Sequence, residues 1–446
     1  MPELIKLTWT PTAAEGLPRK DRQGCDYEAY VPDPLVGQAI TLDGASAADV
    51  ADAERAVGRL EVGAHGLADS EAIARLLLRA EAVASSKIEG LQIGGRRLLK
   101  AQLARALGRG ANDVSAQEIL NNIEAMAAAL AEQGPGEPIT LARLLDTHAG
   151  LLHATSLEDQ AGRLREEQNW IGGSSYNPCS AEFVPPPQDR VPDLMADLCD
   201  FASQDELPAL VQAALAHAQF ETIHPFIDGN GRVGRTLTQL VLRRRGLTVN
   251  VTPPISLVLA TWSRDYVHGL TATRDHDPTG TPAAQEGLDG WIALFAAATS
   301  RAVADAETYE QTVAEIKAQW RARLGRIRRD SAATLLLDAL PGAPIVTVQS
   351  AAALTGRSEQ AINAAIPRLL DAQILTQTTI GRRNRAFEAP EMIDAFSDLE
   401  RRLASPEGNT RHSPPARSVP RRRPIRGQPR SPTGGRQDGE DRLKLA

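Results

Sequence analysis

The chain has 446 residues, 42% hydrophobic and 24% charged, which is the composition of an ordinary globular protein with two or three domains. A formal net charge of −7 argues against a globally basic nucleic-acid binder, and no apolar run approaches the ~20 residues that span a bilayer. The cysteines, Cys25, Cys179 and Cys199, are odd in number and scattered, which favours reduced bystander thiols, and with no signal peptide at the start a cytoplasmic protein is expected.

An N-terminal arm of residues 1–44 is the first predicted segment. Tyr27, Tyr30 and the proline-containing stretch 32–35 indicate an extended chain lying against the rest of the protein. Residues 45–135 then form a helical region, because alanine and leucine recur there at helical spacing. A Gly-Pro-Gly break closes this region.

One helix of this region is predicted over residues 71–90, and the final glycine supplies its C-terminal stop. Glu89 is unfavourably placed at the end of that helix. A carboxylate in the last turn meets the negative end of the helix dipole, which costs about 0.3–1 kcal/mol unless a cation lies close. Arg235 is the obvious candidate for such a cation. Ser85, one turn earlier, is expected to make local hydrogen bonds only.

A β-hairpin is predicted downstream of the break. Its strands are residues 169–173, Asn-Trp-Ile-Gly-Gly, and residues 182–187, Glu-Phe-Val-Pro-Pro-Pro, and a polar turn joins them. The alternative is an ordinary surface hairpin that has no part in a functional site.

Two helices are predicted next, over residues 207–222 and 232–246, and the segment between them favours chemistry over packing. Residues 224–235 are His-Pro-Phe-Ile-Asp-Gly-Asn-Gly-Arg-Val-Gly-Arg. Gly229 and Gly231 let the backbone approach a pyrophosphate, and the second helix adds its positive N-terminal end. The segment therefore predicts an anion cradle.

Charged and polar side chains complete this cradle. Arg232 and Arg235 are three apart, so they share a helix face and can each grip phosphate oxygens. Asp228 suits Mg²⁺, which takes one or two carboxylates together with substrate phosphates. Asn230 can bond a phosphate oxygen without adding charge. His224, with an unperturbed pKa near ~6.5, can accept a proton from an attacking hydroxyl, although a histidine considered alone is more often structural.

The complete segment resembles the signature of the Fic family: His-Pro-Phe, one free residue, Asp or Glu, Gly-Asn-Gly-Arg, two free residues and Arg. No position departs from it. The resemblance implies a helical Fic fold and transfer of AMP from ATP, with Mg²⁺, to a Ser, Thr or Tyr hydroxyl of a target protein. It implies that His224 is catalytic and Asp228 binds the metal. The nucleotide-binding residues would be Gly229, Asn230, Gly231, Arg232, Gly234, Arg235, Val184 and Tyr266.

Two further segments extend the resemblance. The hairpin is similar to the flap of Fic proteins, which can add an extended target segment as a strand and so bring its hydroxyl beside His224. Residues 85–90 resemble the inhibitory pattern of the family: Ser or Thr, three free residues, Glu, then Gly or Asn. This implies that Glu89 pairs with Arg235 and blocks productive ATP binding. A solvated glutamate is the alternative.

The adenine pocket departs from the family pattern. Tyr266 stands where Fic proteins often have paired tyrosines near the adenine, but its neighbour here is Val267. A plain core aromatic is therefore an equal alternative for Tyr266.

The chain changes character after a helical connector of residues 301–335. Residues 336–400 predict a helix-turn-helix with Ser358 as an N-cap, followed by short strands over 374–379 and 385–388, and this pattern resembles winged-helix domains. DNA binding through this module would rely on the arginines of a basic wing and its neighbours, which are Arg357, Arg382, Arg383 and Arg385. Because few side chains of the second helix could read bases, a docking or dimerising module is favoured.

The sequence thus predicts a mostly α-helical protein with a small hairpin flap and a C-terminal winged helix-turn-helix. The predicted domains are 1–44, 45–135, a catalytic core 136–300, 301–335, 336–400 and a disordered basic tail 401–446. The predicted function is protein adenylyltransferase activity, autoinhibited by Glu89. A DNA-binding regulator with a nucleotide-sensing core, and removal of AMP by the same site, stay open as alternatives. A homodimer is also left open, and no membrane association is expected.

Overall fold

Helices dominate the described part of the chain. The structure, a computed structural model, describes residues 2–11, 21–65, 70–108, 113–274, 281–380 and 384–403. The helices that begin before residue 280 are α1 (Gly44–His65), α2 (Ser70–Ile88), α3 (Gly95–Ala106), α4 (Val114–Glu132), α5 (Leu141–Leu152), α6 (Val191–Ala202), α7 (Ala209–Ile223), α8 (Asn230–Arg244), α9 (Ile255–Thr261) and α10 (Ser263–Ala272). The later helices are α11 (Pro282–Leu324), α12 (Ala332–Ala339), α13 (Val348–Thr355), α14 (Glu359–Asp371) and α15 (Pro390–Leu403).

The N-terminal arm forms a two-stranded antiparallel sheet rather than a single extended segment. Strand β1 (Glu3–Trp9) pairs with β2 (Cys25–Val31) along its whole length. The residues at the end of β2, from Ala29 onward, are buried, whereas most of β1 is exposed or half-buried. The outer strand thus shields the inner one, which faces the body of the protein.

Helix α7 lies at the centre of the fold. Every residue of α7 is buried, although its sequence predicted a single apolar face. The reason is that α6, α8 and α11 all pack against it, and a helix covered on every side needs no polar face. The polar side chains it carries, among them His217 and Glu221, are therefore held in the interior next to α8.

Helix α11 joins the predicted catalytic core to the C-terminal module. It is 43 residues long and crosses the predicted boundary between residues 300 and 301 without interruption. The side chains of Trp291 and Phe295 are buried in the first half of α11, and that of Trp320 is buried in its second half. Despite such lengths, none of the described helices is both long and apolar enough to cross a membrane.

The C-terminal module contains the predicted helix-turn-helix. Gly356, at φ 63°, ends α13, and the Ser358 side chain caps α14 by accepting from the Ala361 N–H at 3.3 Å. Strands β3 (Ile345–Val346), β4 (Thr376–Ile380) and β5 (Asn384–Glu388) form an antiparallel sheet in the order β3-β5-β4. The helix-turn-helix and the two later strands are confirmed, and the winged-helix assignment stays a prediction.

Two predicted C-terminal features fall largely outside the described residues. The wing residues Arg382 and Arg383 lie between β4 and β5, in the undescribed residues 381–383. The predicted tail 401–446 begins inside α15, which ends at Leu403, and the rest of it also lies outside the described residues.

Candidate active site

The loop between α7 and α8 is closed by Asn230. Its Oδ1 accepts from the Phe226 N–H and its Nδ2 donates to the Phe226 carbonyl, each at 2.8 Å. Both ends of this buried amide are thus used within the loop. The contact differs from the predicted one with phosphate, so the nucleotide-binding assignment of Asn230 stays a prediction.

His224 ends α7 in the left-handed backbone conformation, with φ 49° and ψ 61°. This conformation costs a residue with a Cβ atom about 1–2 kcal/mol. Burial, followed by the Arg274 guanidinium, lowers the pKa of the imidazole to about 4. His224 is therefore neutral near pH 7, the form that accepts a proton. Its side chain is still 21% exposed, so the ring faces the surface of the site.

A buried carboxyl that the sequence analysis missed lies beside His224. Glu221 stands one turn earlier on α7, and its Oε2 is 3.9 Å from His224 Nδ1. Burial raises the pKa of Glu221 to about 7, and in the part of the chain that the structure describes its Oε1 has no hydrogen-bond partner. Its spacing of three residues from the histidine is the signal that could have identified it.

Glycines keep the start of α8 open. Gly229 caps α8 at φ 82°, where L residues with side chains are disfavoured, and a Cβ atom there would lie 2.7 Å from Leu151 Cδ2. A Cβ atom on Gly231 would overlap the Glu89 carboxylate. Gly234 is different, because a Cβ atom there would lie 2.9 Å from Glu221 Oε1 on α7. Gly234 therefore permits the packing of α7 on α8, and its predicted nucleotide contact is untested.

Arg232 holds buried donors that no described residue satisfies. Its side chain is 4% exposed, and Nη2 donates to Asp228 Oδ2 at 3.2 Å. Nε and Nη1 have no hydrogen-bond partner among the described residues. Unsatisfied buried donors on a cation are costly, and an anion bound at the first turn of α8 would satisfy them. The geometry therefore fits the predicted phosphate site.

Arg235 is occupied by the segment that ends α2. Its Nη2 donates to Glu89 Oε1 at 2.6 Å and to the Ser85 carbonyl at 2.9 Å, and its Nε donates to Ser85 Oγ at 2.9 Å. The contact predicted between Glu89 and Arg235 is thus present. The expectation that Ser85 bonds only locally is wrong, because α2 packs beside α8 and brings its hydroxyl to Arg235.

Both members of this pair are ionised near neutral pH. Burial opposes the charged form of Glu89, but the Arg235 charge outweighs it and holds the pKa of the carboxyl below its ordinary value. Burial likewise opposes the charged form of Arg235, and the Glu89 carboxylate more than compensates, so the pKa of the guanidinium is raised. The Glu89 side chain is 37% exposed, and the pair lies at the edge of the cradle rather than deep in the core.

Tyr266 and Val184 are both buried. The Tyr266 hydroxyl lies 2.8 Å from His217 Nε2 and accepts from Arg235 Nη1 at 3.4 Å, so it supports Arg235 from behind. This is the core position that the sequence left as an alternative. The Val184 carbonyl accepts from the Tyr30 N–H at 2.9 Å. A direct nucleotide contact of either residue stays a prediction.

Asp228 presents a half-exposed carboxylate beside the cradle. Its carbonyl accepts from His148 Nε2 at 3.1 Å, while His148 Nδ1 accepts from the Gly162 N–H, which fixes the tautomer of this neutral ring. Groups of three or more metal-ligating side chains are absent from the described residues. A lone carboxylate next to unsatisfied phosphate donors still fits Mg²⁺, which takes most of its ligands from phosphates and water.

The flap is less regular than the predicted β-hairpin. Ile171 and Phe183 form a single antiparallel bridge, in which the Ile171 N–H donates to the Phe183 carbonyl at 2.8 Å. Gly172 and Gly173 follow at φ 77° and 71°, which turns the chain out of the extended conformation. The predicted strands are therefore wrong in extent.

A disulfide ties the flap to the N-terminal sheet. Cys25, the first residue of β2, is bonded to Cys179 of the flap. The prediction of reduced bystander thiols is therefore wrong for these two residues, which are 154 positions apart in the chain. It holds for Cys199, which is free and buried, and burial raises the pKa of that thiol to about 12.

Two polar contacts reinforce this tie. Asp21 Oδ1 accepts from Ser174 Oγ at 2.7 Å and from Asn177 Nδ2 at 3.0 Å, and the Tyr30–Val184 backbone bond lies at the other end of the flap. We call Asp21, Cys25 and Tyr30 the N-terminal clamp. The sequence predicted an arm lying against the protein, and the clamp shows that it lies against the flap.

A helical fold with a neutral histidine beside unpartnered buried arginine donors fits a phosphate site with an acid–base group. Comparison with known families is more specific. Residues 138–242 match the Fic/DOC family and residues 47–131 match the N-terminal part of that family. These two segments, which hold the cradle and the Glu89 helix, are therefore similar to the Fic/DOC family.

The relatives share a limited stretch of this chain. A 131-residue stretch is 32% identical to protein adenylyltransferase fic-1 of Caenorhabditis elegans, over 29% of this chain and 23% of the relative. Over 68 residues, 15% of this chain and 21% of the relative, it is 41% identical to a probable protein adenylyltransferase, aq_aa38, of Aquifex aeolicus (strain VF5). The matched stretch thus spans under a quarter of each relative.

One solved structure shows the same fold over most of the chain. The crystal structure of a Fic family protein from Desulfovibrio desulfuricans G20 superposes with a TM-score of 0.50 at 22% identity. The superposition covers 78% of this chain and 97% of that protein.

Proposed function

We propose that the protein transfers AMP from ATP to a hydroxyl side chain of a target protein. The observation that carries this proposal is the neutral His224 at one end of a loop whose other end holds the unsatisfied donors of Arg232. Either feature alone would also fit a protein that only binds its ligand, whereas the two together favour a transfer reaction. The relatives described above are named as protein adenylyltransferases, which supports the same reaction.

In the proposed reaction the ATP phosphates lie at the start of α8, against its N–H groups and Arg232. His224 accepts the proton of the target hydroxyl while the hydroxyl oxygen bonds to the α-phosphorus. The bond from that phosphorus to the bridging oxygen breaks, and pyrophosphate leaves with the electron pair. Most of the rate enhancement then comes from positioning and from electrostatic stabilisation.

Asp228 is the residue that would hold Mg²⁺. When bound there, the ion neutralises charge on the leaving phosphates. The Arg232 contact fixes one Asp228 oxygen on the cradle side of the loop. The hydrogen bond between Asp228 and Arg232 would have to break when ATP binds, because Asp228 would then bind the metal and Arg232 the phosphates.

Glu89 is proposed as a brake on this reaction. Arg235 can bind a phosphate only with donors that face the cradle, and Glu89 and Ser85 take those of its Nε and Nη2 atoms. The carboxylate also places a negative charge over Gly231, where a phosphate would lie. Competition between carboxylate and phosphate for one guanidinium is therefore the proposed mechanism of inhibition.

Removal of AMP is the second candidate reaction at this site. It is favoured by the partly exposed Glu89 carboxylate, which could orient water toward a phosphodiester in the cradle. The two directions separate when purified AMP-modified target is offered without ATP. Release of AMP by the wild type and not by Glu89→Gly would establish removal.

The C-terminal module and the location of the protein also belong to the proposal. Arg357 donates to the Asp330 carbonyl, and Arg385 lies over the Phe387 ring. Because both arginines already have partners in the protein, we favour protein docking or dimerisation over DNA binding through residues 336–400. Duplex binding that weakens steeply with salt would reverse this preference.

The cytoplasm stays the proposed location, although disulfides such as Cys25–Cys179 are rare there. Trapping thiols by alkylation in fresh cell extract resolves that conflict.

The decisive experiment uses ATP labelled in either the α or the γ phosphate. Wild type and Glu89→Gly are incubated with Mg²⁺ and a host lysate, and labelled proteins are separated. AMP transfer predicts bands with the α label and none with the γ label, stronger for Glu89→Gly. Bands from the γ label alone would indicate phosphoryl transfer instead, and no bands for either variant would refute the proposed activity.

A further inference from the structure

Arg165 lies in the segment between α5 and the flap and is almost fully buried, at 3% exposure. Its guanidinium donates to main-chain carbonyls on both sides of the site. On the α7 side the acceptors are His224, at 2.9 Å from Nε, and Ile223, at 3.4 Å from Nη2. On the flap side they are Glu167, at 3.0 Å from Nη1, and Pro186, from Nη2.

The backbone of the same residue adds a further contact with the catalytic loop. The Arg165 N–H donates to the Pro225 carbonyl at 2.9 Å. The neighbouring Asn169 donates from Nδ2 to the His224 carbonyl at 3.2 Å and to the Phe226 carbonyl at 3.0 Å. Three consecutive carbonyls, from residue 224 to residue 226, are therefore held by the segment that leads into the flap.

These contacts explain how His224 keeps its unfavourable backbone conformation. A left-handed residue persists only when its surroundings determine it, and here the surroundings are donors that fit one position of the His224 carbonyl. The acceptors of Arg165 are carbonyls rather than carboxylates, and burial lowers the pKa of the guanidinium to about 10. A buried cation without a carboxylate in contact opposes folding, so the contacts serve geometry better than stability.

Building on the proposed transfer reaction, we propose that Arg165 is a positioning residue that fixes the distance between the His224 base and the target segment on the flap. A planar guanidinium can donate to both sides at once, and its rigid fork sets their separation. Pro186 belongs to the flap and Glu167 to the segment that leads into it, so a target strand bound on the flap would be held in register with His224 through one side chain. The hydrogen bonds of Arg165 reach residues 223–225 at the start of the loop and do not extend to Asp228, Arg232 or Arg235.

Arg165→Lys tests this inference in the Glu89→Gly background, where turnover is expected to be measurable. The ammonium keeps the charge but cannot span the carbonyls on both sides. Self-labelling or target labelling should fall about 10²-fold in kcat, the order expected when a reacting group is displaced by about 1 Å, with the KM for ATP unchanged. Arg163→Lys is the matched control, because Arg163 is exposed two residues away and should leave both constants unchanged.

A second variant covers the case in which Arg165→Lys does not fold. Asn169→Ala removes the companion donor to the His224 carbonyl and should lower kcat by a smaller factor, again with unchanged KM for ATP. Unchanged kcat in Arg165→Lys, or an equal loss in kcat and in ATP affinity, would overturn the positioning role. If Arg165→Lys does not fold, unchanged kcat in Asn169→Ala overturns it.

The position of the His224 ring can also be measured without any transfer activity, so this inference can be tested even if the proposed reaction is wrong. If the Glu89→Gly parent transfers no label, the imidazole NMR signals of His224 still report the position of the ring. They should shift in Arg165→Lys, or in Asn169→Ala, and stay in place in Arg163→Lys. Identical His224 signals in all variants would reject the inference whatever the activity.

Discussion

The proposed nucleotide side and the proposed target side of the site are built in different ways. The cradle is one short segment of chain, residues 224–235, on two helices that pack together in the core. The flap has one β-bridge of its own and is held by the N-terminal clamp, which comes from more than 140 positions earlier in the chain. The helices that flank the cradle pack on each other in the core, whereas the flap depends on a distant segment.

The same contrast applies to how each side is restrained. On the nucleotide side Glu89 and Ser85 hold Arg235 through an ion pair and hydrogen bonds, which a competing phosphate can replace. On the target side Cys25 holds Cys179 through a covalent bond, which only a reductant can open. Ligand concentration can therefore act on the first restraint and redox conditions on the second.

The largest expected effect is on the nucleotide side, at His224. His224→Ala should lower AMP transfer by about 10²–10⁴-fold, the usual contribution of a general base, because the neutral His148 ring beside the loop is buried with both nitrogens in hydrogen bonds and cannot replace it. ATP affinity should change little, since His224 is not among the proposed phosphate donors. Isothermal titration with ATP and label transfer are measured on the same preparation. Undiminished transfer by His224→Ala would show that the base is elsewhere.

Removing the brake should have the next largest effect. Glu89→Gly should raise ATP affinity and labelling by about tenfold or more. In the wild type, ATP must separate Glu89 from Arg235 before it binds, and a separation that costs ~1.4 kcal/mol weakens binding by about that factor. Glu132→Gly is the matched control, since Glu132 also ends a helix but is exposed. Arg235→Ala should not reproduce the gain, because it removes the phosphate donor together with the brake. Equal labelling by Glu89→Gly and Glu132→Gly would make Glu89 a bystander.

The sequence predicted the nucleotide side better than the target side for a physical reason. Residues 224–235 are consecutive, and Arg232 and Arg235 are three positions apart on α8, so the pattern is visible in a single sequence. The Glu89–Arg235 contact was also predicted, because a carboxylate at a helix end calls for a cation. The disulfide and the Asp21 contacts join segments about 150 positions apart, and no local pattern marks them.

Some residues of the site itself were also missed. Glu221 is hidden because α7 is buried on all sides, so a polar residue on it does not mark a surface. Arg165 is hidden because its partners are main-chain carbonyls, which leave no trace in the sequence of the partner segment. The flap was predicted as too regular because Gly172 and Gly173 were counted as strand residues, whereas both adopt positive φ.

Reduction of the disulfide tests the target side alone. In the chain-entropy model a native disulfide contributes about 2–4 kcal/mol, so adding dithiothreitol should speed hydrogen exchange at the Tyr30 amide by about tenfold or more. ATP affinity should stay the same, because no contact of the clamp reaches the cradle. A Cys25→Ser variant serves as the control and should not respond to the reductant. Unchanged exchange in the reduced wild type would mean that the polar contacts suffice to hold the flap.

The smallest expected effect is spectroscopic and concerns the charge state of His224. Burial and the charges of Arg274 and Arg165 lower the pKa of its imidazole, whereas the Glu89 carboxylate and a hydrogen bond with the Glu221 backbone raise it, and the balance is a pKa of about 4. An NMR titration of the wild type should therefore show protonation of the His224 ring with a midpoint near 4, and only smaller shifts near pH 7 as the adjacent Glu221 carboxyl titrates. Because this pKa lies below the unfolded value of about 6.5, the neutral ring contributes stability above that value and loses it as the pH falls toward 4. A midpoint at or above 6.5 would mean that His224 is solvated, and the contrast between a preorganised nucleotide side and an externally held flap would then fail at its central residue.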